Sequence, residues 1–481
     1  VGGGGAGTAA VGASLVANTI ARTATATLAN SNLTDGAGNA GRLTVRAHDR
    51  FADGSNGSRI WSLAGNVQGA GTAAVGGAFA INTITNGDAA SDAAGRISSS
   101  DLRALAEGEQ AFDEETFEVP GLLDTFEGAD KPAETDWSEI DPDKTSVLAA
   151  QIIDSDVDIG GAVRVDTDLG SDIKSAAVAG GGAGAAAVMG SVTVNTIAST
   201  SRALIQGGSI RAGDVHVEAR ERGDGSDALN ARSSIASLAG AVSGSGTATV
   251  NIAVAVNTIA NTLEATIDGS TVETGGAVDV EAAPGAEIFS AAVGGGGTGG
   301  GAVSGSVTVN TITNEAVATV RNADIRANNV HVRAIDRIDA GGLVPPSLET
   351  IFTSAPDSIL TPAGTSIISV AGNASGAGAA AVGGSVSVNT ISNTLAADII
   401  DSSVDASGAV NVEADAGSEI VSAAFTGNGA GGASVFGATA VNTIVNTSRA
   451  KVEGGSVQAA DLSIEARERD EDHRSLIWAG A

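Results

Sequence analysis

The sequence predicts an all-β chain, a parallel β-helix (β-solenoid) of about fifteen coils with two non-repeat insertions, and three observations carry that expectation. The segment Val-Asn-Thr-Ile, or a close variant, occurs seven times, centred on Asn18, Asn82, Asn195, Asn257, Asn310, Asn389 and Asn442. Apolar and polar residues alternate with period two in segments such as Ala277-Val-Asp-Val-Glu-Ala282 and Val410-Asn-Val-Glu-Ala414, the pattern of a strand with one buried face. The apolar residues are mostly small: 481 residues hold 67 glycines but only 9 Phe, 3 Trp, one Met and no Tyr or Cys. A core of ordinary thickness needs more large side chains, so apolar area has to be buried in many thin stacked layers.

The spacings between the seven asparagines are 64, 113, 62, 53, 79 and 53 residues. The two longest hold the insertions, at 87–145 and 341–364, so repeats are expected over 1–86, 146–340 and 365–481. Without the insertions a unit of 53 alternates with one of about 62. The longer unit carries a charged segment, as in Arg46-Ala-His-Asp-Arg50, Glu218-Ala-Arg-Glu-Arg222, Arg333-Ala-Ile-Asp-Arg337 and Glu465-Ala-Arg-Glu-Arg469. The shorter has a compact turn instead: Asp166-Thr-Asp-Leu-Gly170, Glu281-Ala-Ala-Pro-Gly285 or Glu413-Ala-Asp-Ala-Gly417. Dividing each unit into two coils of about 26 residues, for instance 265–290 and 291–317, predicts a rod on the order of 70 Å long.

Within that scheme inward Val, Ile and Ala stack on their equivalents above and below. Glycine runs such as Gly294-Gly-Gly-Gly297 permit sharp corners. The repeated asparagines are expected at a corner, each side-chain amide bonding the backbone of adjacent coils. The first insertion differs in kind. Residues 101–145 hold fifteen Asp and Glu against one Arg and two Lys, together with Phe112, Phe117, Phe126 and Trp137. It reads either as a protruding module for a partner or cation, or as a lid that packs its aromatics on the rod.

The net charge of −31 makes nucleic acid and anionic membrane poor partners. No cysteine means no disulfide, no thiol catalysis and no Cys-based zinc site. Both ends of the chain fall in mid-repeat, which predicts a section of a longer repeat protein.

Gly190-Ser-Val-Thr-Val-Asn-Thr-Ile197, the Gly-Gly-Ser turn at 207–209 and Val215-His-Val-Glu-Ala219 resemble the repeats of very large bacterial filamentous adhesins, of the filamentous-haemagglutinin-like and leukotoxin-like kind. The resemblance covers nearly the whole chain outside the insertions. It implies a right-handed parallel β-helix and an extracellular or cell-surface stalk used in attachment or aggregation. The partners it implies are further repeats of the same long chain, fibres formed by self-association, and a cell-surface glycan or protein. It carries no shared catalytic residues.

Site chemistry is sparse. Asp154, Asp156 and Asp158 alternate, with Asp166 and Asp168 one strand later. Asp154, Asp156, Asp166 and Asp168 are the candidate ligands for Ca²⁺, the one cofactor considered; neither the EF-hand nor the calcium β-roll pattern is present. His216 and His331 occupy matching outward strand positions, as a solvated ladder or a metal pair. Glycan cleavage needs convergent carboxylates and aromatic platforms, and Trp61, Trp137 and Trp478 lie far apart in sequence. Arg222-Gly223-Asp224 is a receptor-binding tripeptide by composition only. The glycine runs lack the Gly-Lys-Ser/Thr of a phosphate loop, and no window is apolar enough to span a membrane as a helix. The chain is therefore expected not to be an enzyme. The alternative to a structural stalk is a module that binds glycan, protein or Ca²⁺ through the acidic insertion and charged loops.

Overall fold

A computed structural model describes residues 1–35, 41–49, 57–86, 148–221, 233–336, 365–468 and 476–480. The insertions at 87–145 and 341–364, the Arg222-Gly223-Asp224 tripeptide and His473 lie outside the described residues. The described chain is all-β and forms a parallel β-solenoid. Its strands fall into four sheets, here A to D, and every pairing between successive coils is parallel and in register.

One coil is typical of all. The chain runs through sheet A as Ser233–Ser245, turns into the long sheet B strand Ala248–Asp268, then passes through sheet C as Thr271–Thr274 and sheet D as Ala277–Ala283. It re-enters sheet A at Ala286–Thr298, paired directly on Ser233–Ser245. One coil is thus a whole 53- or 62-residue unit, not half of one. Seven complete layers, not fifteen, stack to a height of about 34 Å at about 4.8 Å per layer. The half-coils expected at 265–290 and 291–317 do not stack. Each half of a unit instead closes one of two lobes within a single layer, and in one of them sheet A faces the first half of sheet B.

Each layer therefore has two lobes. In one, the second half of sheet B closes with sheets C and D around a core of Val, Ile, Leu and Ala, including Ile205, Ile267, Val280, Ile325 and Val412. The other is a thin sandwich of sheets A and B with an interior of Ala, Gly, Ser and Asn. Between them runs an isoleucine row. The isoleucine of each Val-Asn-Thr-Ile segment, as in Ile84, Ile197, Ile259, Ile312 and Ile391, packs on Ile60, Ile173, Ile235, Ile288 and Ile367 of sheet A. The glycines of the thin lobe permit close approach of two backbones. A Cβ on Gly294 would lie 2.7 Å from the carbonyl oxygen of Gly305 across the sandwich.

The turn from sheet B to sheet C holds a residue with positive φ at the same position in every layer, Asn30, Asp154, Gly207, Gly269, Asn322, Asp401 and Gly454, and in two layers a second, Gly208 and Gly455. Only Gly, Asn and Asp adopt this left-handed conformation at modest cost, and no other residue type stands there.

Candidate functional site

The seven asparagines form one ladder through the molecule. Asn18 donates from Nδ2 to Oδ1 of Asn82 at 2.9 Å, and the chain continues through Asn195, Asn257, Asn310, Asn389 and Asn442 at 2.8 Å per step. The remaining amide hydrogen of Asn82, Asn257 and Asn442 goes across the sandwich to Ser62, Ser237 and Ser422 of sheet A, each at 2.8 Å. The asparagines stand inside the thin lobe, within straight strand, and bond to each other. This corrects the corner position and backbone partners expected from sequence. The physical reason is parity. Asn and Ile lie two residues apart and point to the same side of a strand, so an inward Ile brings an inward Asn with it.

The four candidate calcium ligands do not converge. Asp154 holds the left-handed turn position, and Asp156 accepts from the backbone N and Oγ of Ser209 at 3.0 and 2.7 Å. Asp166 and Asp168 lie on sheet D, where Arg46 holds Asp166 at 2.5 Å. Among the described residues, no three His, Cys, Asp or Glu side chains come together in a way that could hold a metal ion. Alternation along a strand put these carboxylates on a common face on paper, but the turn at 159–162 sends the pairs to different sheets. Replacing Asp154 by Val should cost about 1–3 kcal/mol in denaturant unfolding, since a β-branched residue resists positive φ, while Asp154→Gly should be near neutral. A calcium-dependent loss in both variants would instead restore a metal role.

His216 and His331 do not stack directly. Asp279 stands between them in register on sheet D, with its Oδ2 3.1 Å from Nδ1 of His216, and Asn411 follows at 3.1 Å from Nδ1 of His331. Burial works to raise the Asp279 carboxyl, but the hydrogen bond and charge of His216, with His331 and Arg333 nearby, bring it below the usual range.

The charged segments conceal a second regular feature that sequence reasoning missed. The fourth residue of each segment is an acid placed just before the extra residues of a longer unit: Asp49, Glu221, Asp336 and Glu468. Each meets a partner at the junction of the lobes. Arg22 pairs with Asp49, and Ser58 donates to Asp49 at 3.2 Å. Glu221 is fully buried; it accepts from Asn261 and from the backbone N of Gly285 at 3.0 Å. Asp336, also fully buried, accepts from the backbone N of Thr365 at 3.2 Å and from Asn393 at 3.0 Å. Asn446 donates to Glu468 at 3.2 Å. In the intervening shorter units the same register position is Leu169, Pro284 or Ala416. The acid thus stands where the extra residues of a longer unit begin, and where the connection is compact an apolar residue suffices. Burial pushes the Glu221 carboxyl up to about 7, with the charge of Asp336 adding to it and hydrogen bonds from Ser233, Gly285 and Asn261 opposing it. The signal available in the sequence was the strict recurrence of Asp or Glu at that one position.

The outer faces of the thin lobe are the other feature that was missed. On sheet A a groove of about 650 Å³ is lined by Trp61, Leu63, Leu238, Phe289 and Val293, with Nζ of Lys174 5.7 Å from the Trp61 ring. The outward face of sheet B is wholly uncharged over its first half. Among the described residues no helix is long and apolar enough to cross a membrane. Comparison with known proteins finds no matching family model, no similar curated protein and no similar solved structure.

Proposed function

We propose that this chain is a structural stalk segment of a secreted or surface-anchored bacterial filamentous adhesin or extracellular fibre, serving attachment or aggregation. The observation that supports the reading most directly is the unbroken asparagine ladder. Seven layers share one hydrogen-bonded column, so each coil is held to the next by the same bonds regardless of its loops. Such an element lengthens by adding layers and carries load along its axis, while insertions such as 87–145 leave the stacking register intact on either side. In this role the chain is extracellular, works by geometry and not by catalysis, and displays its loops to glycans or proteins on other cells.

The test is attachment of cells displaying the chain, with and without residues 87–146, a deletion that keeps the one residue the register needs between Asn86 and Leu148. The stalk reading expects attachment and coil stacking to survive the deletion. Lost attachment with an intact far-ultraviolet β spectrum would move the function to the acidic insertion and make the chain a binding module.

A further inference from the structure

We propose that two copies of this chain associate laterally through the outward face of the first half of sheet B, face to face. Five outward positions on each of seven strands, from Val11–Thr19 in the first layer to Val435–Thr443 in the last, carry no charged residue. That is 35 positions without a charge in a chain of net charge −31. Two such chains repel over most of their surface, so contact is favoured where neither presents a carboxylate. Charges on the same strands begin only beyond the bend, with Arg202, Glu264 and Glu315.

The face is patterned as well as uncharged. An in-register valine column runs from Val11 through Val188 and Val303 to Val435, and these side chains are 79%, 40%, 47% and 64% exposed. Beside it the next outward column is mainly glycine: Gly77, Gly190, Gly305, Gly384 and Gly437. A ridge next to a groove of the same spacing is complementary to itself after a two-fold rotation, which is what an isologous pair requires. The column nearest the junction of the lobes is threonine, from Thr19 to Thr443. Seven strands at about 4.8 Å and nine residues at about 3.3 Å give a face of about 1,000 Å². A standard interface uses about 800 Å² per partner, and the largest apolar patch of an ordinary monomer covers about 300–600 Å². The outer face of sheet A is the weaker competitor. It carries Arg59 and Lys174, and part of its apolar area, at Ile368 and Val421, is already buried.

The role of this pairing in fibres rests on the stalk reading; the pairing itself does not. The experiment is sedimentation equilibrium of the intact chain at low and high salt. Twice the mass of the single chain is expected, with association strengthened by salt as repulsion is screened. The variant Val188→Glu/Val303→Glu/Val435→Glu, in three non-adjacent layers, should be monomeric with an unchanged circular dichroism spectrum, while Leu63→Glu/Leu238→Glu on sheet A should still pair. As a second readout that does not depend on the triple variant folding, a single cysteine at Ile252→Cys, beside the two-fold axis in the ridge-and-groove columns, should be joined to its copy by a short thiol cross-linker, and one at Leu238→Cys should not. A wild-type chain that stays monomeric at both salts overturns the proposal and leaves the stalk intact. Pairing lost in the sheet A variant but kept in the sheet B variant overturns it equally.

Discussion

Asn257→Ala is expected to destabilise the central layers by about 4 kcal/mol, whereas Asn18→Ala should cost about 1 kcal/mol or less. The difference comes from what is left behind. Asn257 accepts from Asn195 and donates to both Asn310 and Ser237, and all of this is buried. Its removal strands a donor on Asn195 and an acceptor on Asn310 where water does not reach, at about 1–3 kcal/mol each, besides the lost packing. Asn18 stands at the end of the ladder, has one ladder partner and is partly exposed. Coils of a solenoid open semi-independently, so the measurement is amide hydrogen exchange resolved by layer, supported by denaturant unfolding. Equal costs at the two positions would show that the ladder adds nothing beyond ordinary strand pairing. Asn257→Asp should be worse than Ala, because a carboxylate offers no hydrogen to Asn310 and brings a buried charge.

The second large effect is on pH dependence. The Glu221 carboxyl titrates near 7 in the folded chain against a reference of 4.5. A raised folded value means the native state holds the proton more tightly than the unfolded state. The associated stability is fully present below about 4.5 and is lost as pH rises through about 7. Over that window the loss amounts to about 3 kcal/mol. Glu221→Gln keeps the shape, removes the titration and should be more stable than the parent at pH 8, with little difference at pH 5. The difference between parent and variant is the informative quantity, since the rest of an acidic chain also responds to pH. The exchange rates of Asn261, Gly285 and Ser233 amides should report it locally. A pH-independent difference would mean that Glu221 is charged throughout and that its hydrogen bonds outweigh its burial. The same device predicts that the contacts of Glu221 with Asn261 and Gly285 hold more firmly in mildly acidic surroundings than in alkaline ones.

Much of this molecule was legible before folding. Period-two alternation in segments such as Val215-His-Val-Glu-Ala219 required strands, and the seven-fold recurrence of Val-Asn-Thr-Ile required one equivalent strand per layer. The alternation of charged and compact connections announced two unit types, and the structure gives that alternation a cause in the acids Asp49, Glu221, Asp336 and Glu468. The coil length was not legible. Ala286–Thr298 and Gly301–Arg321 are both runs of small alternating residues, and local pattern does not say whether two such runs stack or face each other. Nor was the inward side of the asparagines, although parity with the isoleucine two residues on contained it.

The candidate metal site shows the same division. Strand periodicity does place Asp154 and Asp156 near one another, but Asp154 is there because a turn needs positive φ. Asp166 lies on another sheet beside Arg46. What the sequence determined by itself is whatever repeats along the chain: strand character, turn residues, the identity of each column and the uncharged outward face. Those follow from backbone sterics and side-chain parity, which act over a few residues. Only the tertiary structure decided which columns meet across a layer, how many residues make a coil and which carboxylates are buried. Those depend on desolvation and on hydrogen-bond partners brought from 20 to 64 residues away, as Ser237 is for Asn257 and Gly285 for Glu221.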